Sequence, residues 1–395
     1  MTASHGPALR HDTNAIERLV ADLVAIDSVN PDLVPGGAGE AEIAAFTAAW
    51  LGDAGLEVVV VEPPGAANPP RPSVVGVARG RGGGRSLLLC AHTDTVGVEG
   101  MTGPHVPRIE GRRLYGRGAY DMKGGLAAVM LAGVTAAGAG FAGDVVVAAV
   151  SDEEYASVGC RAVAERLAGT VDAAIVTEPT ALAACVAHKG FAWATIEARG
   201  RAAHGSRPDL GADAIVHMGA VLAEIRALDR RLADRDPHPL LGRGSVHASL
   251  IAGGQELSSY PERCALEIER RTLPGETAAA IEAELADVLA RARSREPALD
   301  ASARVTLVRE PFEIALDAEI VRAVRAAGGA VTGREVEVVG HTAWMDAAIL
   351  SAAGVPTVVF GPGGEGAHAV EEWVDLDEVE RCARTLVAVA AGWCR

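Results

Sequence analysis

The sequence predicts an α/β protein with a mixed, largely parallel sheet, interrupted by a smaller ferredoxin-like α+β module. Three observations carry this reading. The short apolar runs Leu87-Leu88-Leu89, Val145-Val146-Val147, Ala174-Ile175-Val176 and Thr357-Val358-Val359-Phe360 have the composition of strands buried on both faces, as in a parallel sheet. Helical patterns alternate with them along the chain. From about Cys185 to Val305 the order changes to β-α-β-β-α-β, the split ferredoxin-like arrangement, and apolar strand segments resume beyond it.

The elements follow in order. Asn14 with Glu17 resembles a capping box, and Ile16, Leu19, Val20, Leu23 and Val24 fall on one face of the helix it would start. The stretch from Glu40 to Ala54 repeats the helical pattern, while Pro63 to Pro72 and Gly80 to Arg85 are turn-rich, the second reading as a hairpin connection. Gly124 to Ala137 is a helix of small residues suited to close packing on a sheet. In the central module, strands are expected at Phe191 to Arg199, Ser245 to Ala252, Cys264 to Arg271 and Ala303 to Val308, with helices at Ala212 to Leu228 and Glu276 to Arg293. Asp375 caps a last helix running through Ala391. The expected division is 1–184 and 306–395 for the two parts of the main domain and 185–305 for the inserted one.

Composition narrows the function. The chain has 395 residues, enough for a large core, and 52 Asp and Glu against 36 Lys and Arg give a formal charge of -16. That balance disfavours nucleic acid and anionic membrane surfaces as partners. The first dozen residues hold no apolar signal core, and no stretch approaches the roughly 20 apolar residues of a membrane span, so the expected location is the cytoplasm. Six cysteines without a CxxC fit buried or free thiols in a reducing compartment.

The chemistry lies where the strand runs end. His92, Glu153-Glu154, Glu178 and His368 each follow an apolar run, and Asp121 sits in a glycine-rich loop. Taken singly, these are a buried histidine, a solvated acidic loop, a helix-start acid and an N-cap. Taken together they converge, because open parallel sheets bind ligands beyond the C-terminal ends of their strands. Imidazole with carboxylate is a zinc-like donor set. Asp94, two residues from His92 on extended chain, projects to the same side and is suited to orient the imidazole. Glu153 and Glu154 point apart as neighbours, so one can coordinate while the other acts as a base. Gly361-Pro-Gly363-Gly-Glu-Gly366 matches the dinucleotide fingerprint formally, but lies near the C-terminus and opens no helix at once, so no such cofactor is expected.

Five strings, in order, carry a resemblance: Ala91-His-Thr-Asp94, Gly116-Arg-Gly-Ala-Tyr-Asp121-Met-Lys-Gly-Gly125, Asp152-Glu-Glu154, Thr177-Glu-Pro-Thr180, and Gly361-Pro-Gly-Gly with His368. From about residue 15 to 385 the chain resembles the di-zinc family of acetylornithine deacetylase, succinyl-diaminopimelate desuccinylase, aminoacylase and carboxypeptidase G. The resemblance implies a zinc-peptidase-like catalytic domain interrupted by a lid that also makes a homodimer. It implies two divalent metal ions, zinc with cobalt as the alternative, one on His92 and Glu178, the other on Glu154 and His368, with Asp121 bridging and Glu153 as general base. It further implies a cis peptide after Asp121, His204 as the residue reaching a partner's site to meet the oxyanion, and Arg271 as the fork for a substrate carboxylate. Ser258 stands where the family often has Asn, which weakens the contact expected there, and His341 is a further candidate near the substrate.

The expected function is hydrolysis of the amide of an N-acyl amino acid or related small acid. The alternative on the same site is a dipeptidase or carboxypeptidase, which differs in the side of the amide that bears the recognised carboxylate. A metal-containing binding protein without turnover is the rival from another class, and Glu153 argues against it, since binding needs no base.

Overall fold

In a computed structural model the described residues are 9, 13–65 and 70–395. They divide into two compact units, one built from the chain up to Val186 with Ile314–Val339 and Met345–Arg395, the other from Ala187–Glu313 with Gly340–Trp344.

In the first unit four strands run parallel at the centre, in the order Val145–Val150, Leu87–His92, Ala173–Val176 and Thr357–Val359. Ser73–Ala78 and then Glu57–Val61 add antiparallel beyond Val145–Val150, and Ala184–His188 pairs antiparallel with Thr357–Val359. The sheet is therefore mixed, parallel across its four central strands and antiparallel on both flanks, not largely parallel as expected. Every residue of Leu87–His92 and Val145–Val150 is buried, which is why these strands read as unbroken apolar runs rather than alternating ones.

Leu87, Leu89, Val145, Val147 and Ile175 share one core with the helices Thr13–Ala25, Ala41–Asp53, Gly124–Ala137, Glu319–Thr332 and Leu376–Trp393. The shorter helices Val158–Arg166 and Ala347–Ala352 pack on the strands too. The glycines of Gly124–Ala137 permit close approach: a Cβ at Gly133 would lie 2.3 Å from Val147 Cγ2, and one at Gly125 2.3 Å from the Thr177 carbonyl. This seats the helix start against the chain that leads to Glu178.

The second unit is an antiparallel sheet in the order Ser245–Gly253, Arg263–Thr272, Gly190–Arg199, Asp300–Arg309, with helices Ala214–Ala233 and Ala278–Arg295. That is the expected ferredoxin-like pattern. Its core side alternates, as in Ala192, Ala194, Ile196 and Ala198.

Two local expectations fail. Gly80–Arg85 is not a hairpin connection, because Val145–Val150 lies between the strands it joins. The loop instead packs on the next turn, with Arg81 and Gly82 donating to the carbonyls of Phe141 and Ala142. Asn14 is not a cap, since the first helix already begins at Thr13. The apolar face predicted there is buried at all five positions. At the other end Asp375 caps as expected, accepting from the N–H groups of Asp377 and Glu378. No described helix is long and apolar enough to cross a membrane.

Candidate metal centre

Because the four central strands are parallel, their C-terminal ends share one edge, and the polar residues gather there. His92 ends its strand, Glu153 and Glu154 lie in the turn after Val150, and Glu178 follows Val176 by two residues. Asp121 comes from the glycine-rich loop, whose Asp121-Met122 peptide is cis, and His368 from the loop after Thr357–Val359, at a positive φ of 62°.

Asp121 stands between the two histidines. Its Oδ1 lies 3.1 Å from His92 Nε2 and its Oδ2 3.4 Å from His368 Nε2. His92 Nε2 is also 3.7 Å from Glu178 Oε1, and His368 Nε2 3.2 Å from Glu154 Oε2. The six residues named for this centre thus fall into two half-sites sharing one carboxylate, with Glu153 beside His92 and Glu178: ligand atoms of Glu153, His92 and Glu178 all lie within 4.8 Å of one another.

The electrostatics match a cation cage. Burial and then the neighbouring Glu178 push the Glu153 carboxyl well above the carboxylate range, and burial with Asp121, Asp346 and Glu154 does the same to Glu178. Asp121 and Glu154 raise His368 to about 10. Burial alone would raise Asp121, but the hydrogen bonds with His368 and His92 hold it below its usual value. Glu154 Oε1 is buried with no hydrogen-bond partner. An orphaned carboxylate oxygen among converging carboxylates and imidazoles is what two divalent cations would satisfy. The donor set of nitrogen and oxygen fits metals of the zinc type.

Two buried polar frames hold the centre. Glu372 accepts from the N–H groups of Tyr120 and Asp121 at 2.9 and 3.0 Å, and from Arg117 at 2.6 Å. Arg117 also donates to the carbonyl of Ala369, the residue after His368. Asp94 holds the other side, its Oδ1 and Oδ2 accepting from the N–H groups of Glu153 and Glu154 at 3.0 and 3.1 Å. His92 Nδ1 lies closer to the Asp94 carbonyl, 3.0 Å, than to its carboxylate, 3.6 Å. Orientation of the imidazole therefore falls chiefly to the main chain of Asp94, and its side chain serves the Glu153-Glu154 turn. Sequence reasoning missed Arg117 and Glu372 as parts of this frame.

The other candidates lie in the second unit. His204 is exposed, its Nδ1 2.8 Å from Ser206 Oγ. Ser258 is exposed and its carbonyl accepts from Gly205. Arg271 pairs with Glu269 at 2.7 Å and lies over the Phe191 ring. Lys189, which donates to the Arg243 carbonyl, shares that end of the sheet. His341 Nδ1 accepts from the Ala343 N–H. Gly361–Gly366 leads into the short strand Gly364–Glu365 and not into a helix, so the dinucleotide reading falls.

Paired half-sites that share a carboxylate at the C-terminal edge of a parallel sheet, with one more carboxylate alongside, define a two-metal hydrolase. The sequence pattern of peptidase family M20/M25/M40 matches residues 88–392, and the chain belongs to that family. It is 30% identical over 396 residues to an acetylornithine deacetylase of Myxococcus xanthus, covering 96% of this chain and 98% of that protein. In fold it is similar to the aminopeptidase PepT of Bacillus cereus, with a TM-score of 0.76, 20% identity and coverage of 97% and 99% of the two chains. It is likewise similar to a dinuclear metal-binding peptidase of Bacillus subtilis, with a TM-score of 0.74, 16% identity and coverage of 97% and 98%. The chain is an enzyme that hydrolyses amide bonds with divalent metal.

Proposed function

We propose that the chain removes the acyl group from the nitrogen of an N-acyl amino acid or similar small acid. The observation that carries the reading is the Asp121 carboxylate, with one oxygen facing each histidine, and Glu153 beside His92 and Glu178. Similarity along nearly the whole length to an acetylornithine deacetylase supports the acyl amino acid as substrate class.

In this reading His92 and Glu178 would hold one cation and Glu154 and His368 the other, with Asp121 available to both. Zinc is the metal proposed, with cobalt able to replace it. Cations held there would polarise the scissile carbonyl and lower the pKa of water. Glu153 takes the proton of the attacking water and returns it to the departing nitrogen. Arg271 receives the substrate carboxylate on its planar fork, with Ser258 and His341 beside the substrate. His204 donates to the oxyanion from a second copy of the chain, so the active form is a homodimer made through the second unit, in the cytoplasm.

Two measurements test this. A panel of N-acetyl amino acids and dipeptides, run with zinc or cobalt at defined content, is expected to show turnover of the acyl amino acids. Preference for dipeptides would move the assignment to a dipeptidase. Arg271→Met is expected to raise KM by about 10- to 100-fold with little change in kcat, the worth of a charge-assisted pair. An unchanged KM would place the carboxylate elsewhere.

A further inference from the structure

The turn that carries Glu153 and Glu154 hangs from two residues far from it in sequence. Asn30, fully buried, donates through Nδ2 to Asp94 Oδ2 at 2.8 Å and to Asp152 Oδ1 at 3.0 Å. Its amide is fixed in that sense because Oδ1 accepts from the N–H groups of Asp32 and Leu33 at 3.0 and 3.3 Å. One side chain thus ties together the carboxylates on either side of the reacting pair.

Arg71, 2% exposed, meets Glu40 with two parallel bonds of 2.7 Å from Nε and NH2. The same NH2 reaches Asp152 Oδ1 at 2.8 Å, and NH1 meets Asp32. Asp152 adopts a positive φ of 68°, an uncommon conformation that Asp takes more readily than most residues. Its Oδ2 accepts from the Val158 N–H at 3.2 Å, and its carbonyl from Ala156 and Ser157, which closes the turn. Asp94 then receives the N–H groups of Glu153 and Glu154. Every buried carboxylate in this chain of contacts is satisfied, and Arg71 is the cation that offsets Glu40 and Asp152.

We propose that Asn30 and Arg71 are positioning residues for the hydrolytic step: through Asp94 and Asp152 they set the turn from which Glu153 reaches the reacting water and Glu154 reaches its cation. Neither touches substrate or metal. Their effect falls on how the two glutamates are aimed, and a displacement near 1 Å at a reacting group lowers turnover by about 10²-fold. A lysine cannot replace Arg71, because an ammonium lacks the planar fork that spans Glu40 and Asp152 together.

This inference rests on Glu153 being the base, and its test separates the two ideas. Asn30→Leu removes both donors without a change of charge, and Arg71→Lys keeps a buried cation should larger changes prevent folding. Each is purified, saturated with cobalt, and read for bound metal, melting temperature, the visible cobalt spectrum, kcat and KM. The expected result is two equivalents of cobalt, altered visible bands from the re-aimed Glu154, kcat lower by about 10²-fold and KM within about threefold. Since both act through one turn, the double variant is expected to lose little more than the worse single one. A wild-type spectrum, a kcat near wild type at full metal, or losses that multiply in the double variant would overturn the proposal. If Glu153→Gln kept turnover, the base assignment would fall while the spectral result still judged the turn.

Discussion

Replacing Glu153 with glutamine lowers kcat by about 10²- to 10⁴-fold, the range general acid–base catalysis supplies, and leaves two equivalents of metal bound. Glutamine has the same length and shape, and the main-chain N–H of residue 153 still reaches Asp94 at 3.0 Å, so the turn survives the change. What goes is the oxygen that accepts a proton. Elemental analysis alongside the kinetics makes the outcome decisive, because Glu153 also lies close enough to His92 and Glu178 to be a ligand itself. Loss of one metal equivalent would make it one and move the base elsewhere. Retained turnover would remove Glu153 from the reaction.

The parts of this centre that the sequence discloses are those that follow apolar strands. His92, Glu153-Glu154 and Glu178 stand out because a buried strand is a conspicuous run and the residue after it sits at a known edge. The inserted unit is legible for the same kind of reason: alternation along Phe191 to Arg199 and Cys264 to Arg271 reports one covered face. The supporting frames are not legible. Asn30 and Arg71 lie 122 and 81 positions from Asp152, and Glu372 lies 251 from Asp121. A lone buried arginine in a proline-rich loop looks like a surface residue until its carboxylates are known. The misread hairpin has a related origin, since a strand inserted from position 145 onward separates two neighbours in sequence, and no local pattern records the insertion. Turn composition gives where the chain bends, while strand order depends on pairings made much later along it.

Stripping the metal abolishes turnover and makes stability strongly dependent on pH. In the metal-free protein the carboxyls of Glu153, Glu154 and Glu178 are raised by burial and by one another, and the imidazoles of His92 and His368 are raised by the acids around them. A group whose folded value is raised contributes its stability in full below its unfolded value, near 4.5 for Glu and 6.5 for His, and loses it as pH climbs through the folded one. All five groups therefore act in the same direction and weaken the apo protein from about pH 5 upward, while buried Lys123, lowered by burial to about 7, acts in the opposite direction above that pH. Asp121 and Asp94, both lowered, change only in stronger acid and do not oppose the trend in that window. Divalent cations reverse it, because they neutralise the deprotonated carboxylates that repel one another. Metal at about 10³ times its dissociation constant adds about 4 kcal/mol for one site, a shift of about 5 °C in Tm for a chain of 395 residues. Metal competes with protons for these ligands, so the gap in Tm between loaded and chelated protein is expected to widen between about pH 5 and 8. Calorimetry of both forms across that range measures it. A gap that stayed constant would mean that these residues do not form the cation cage.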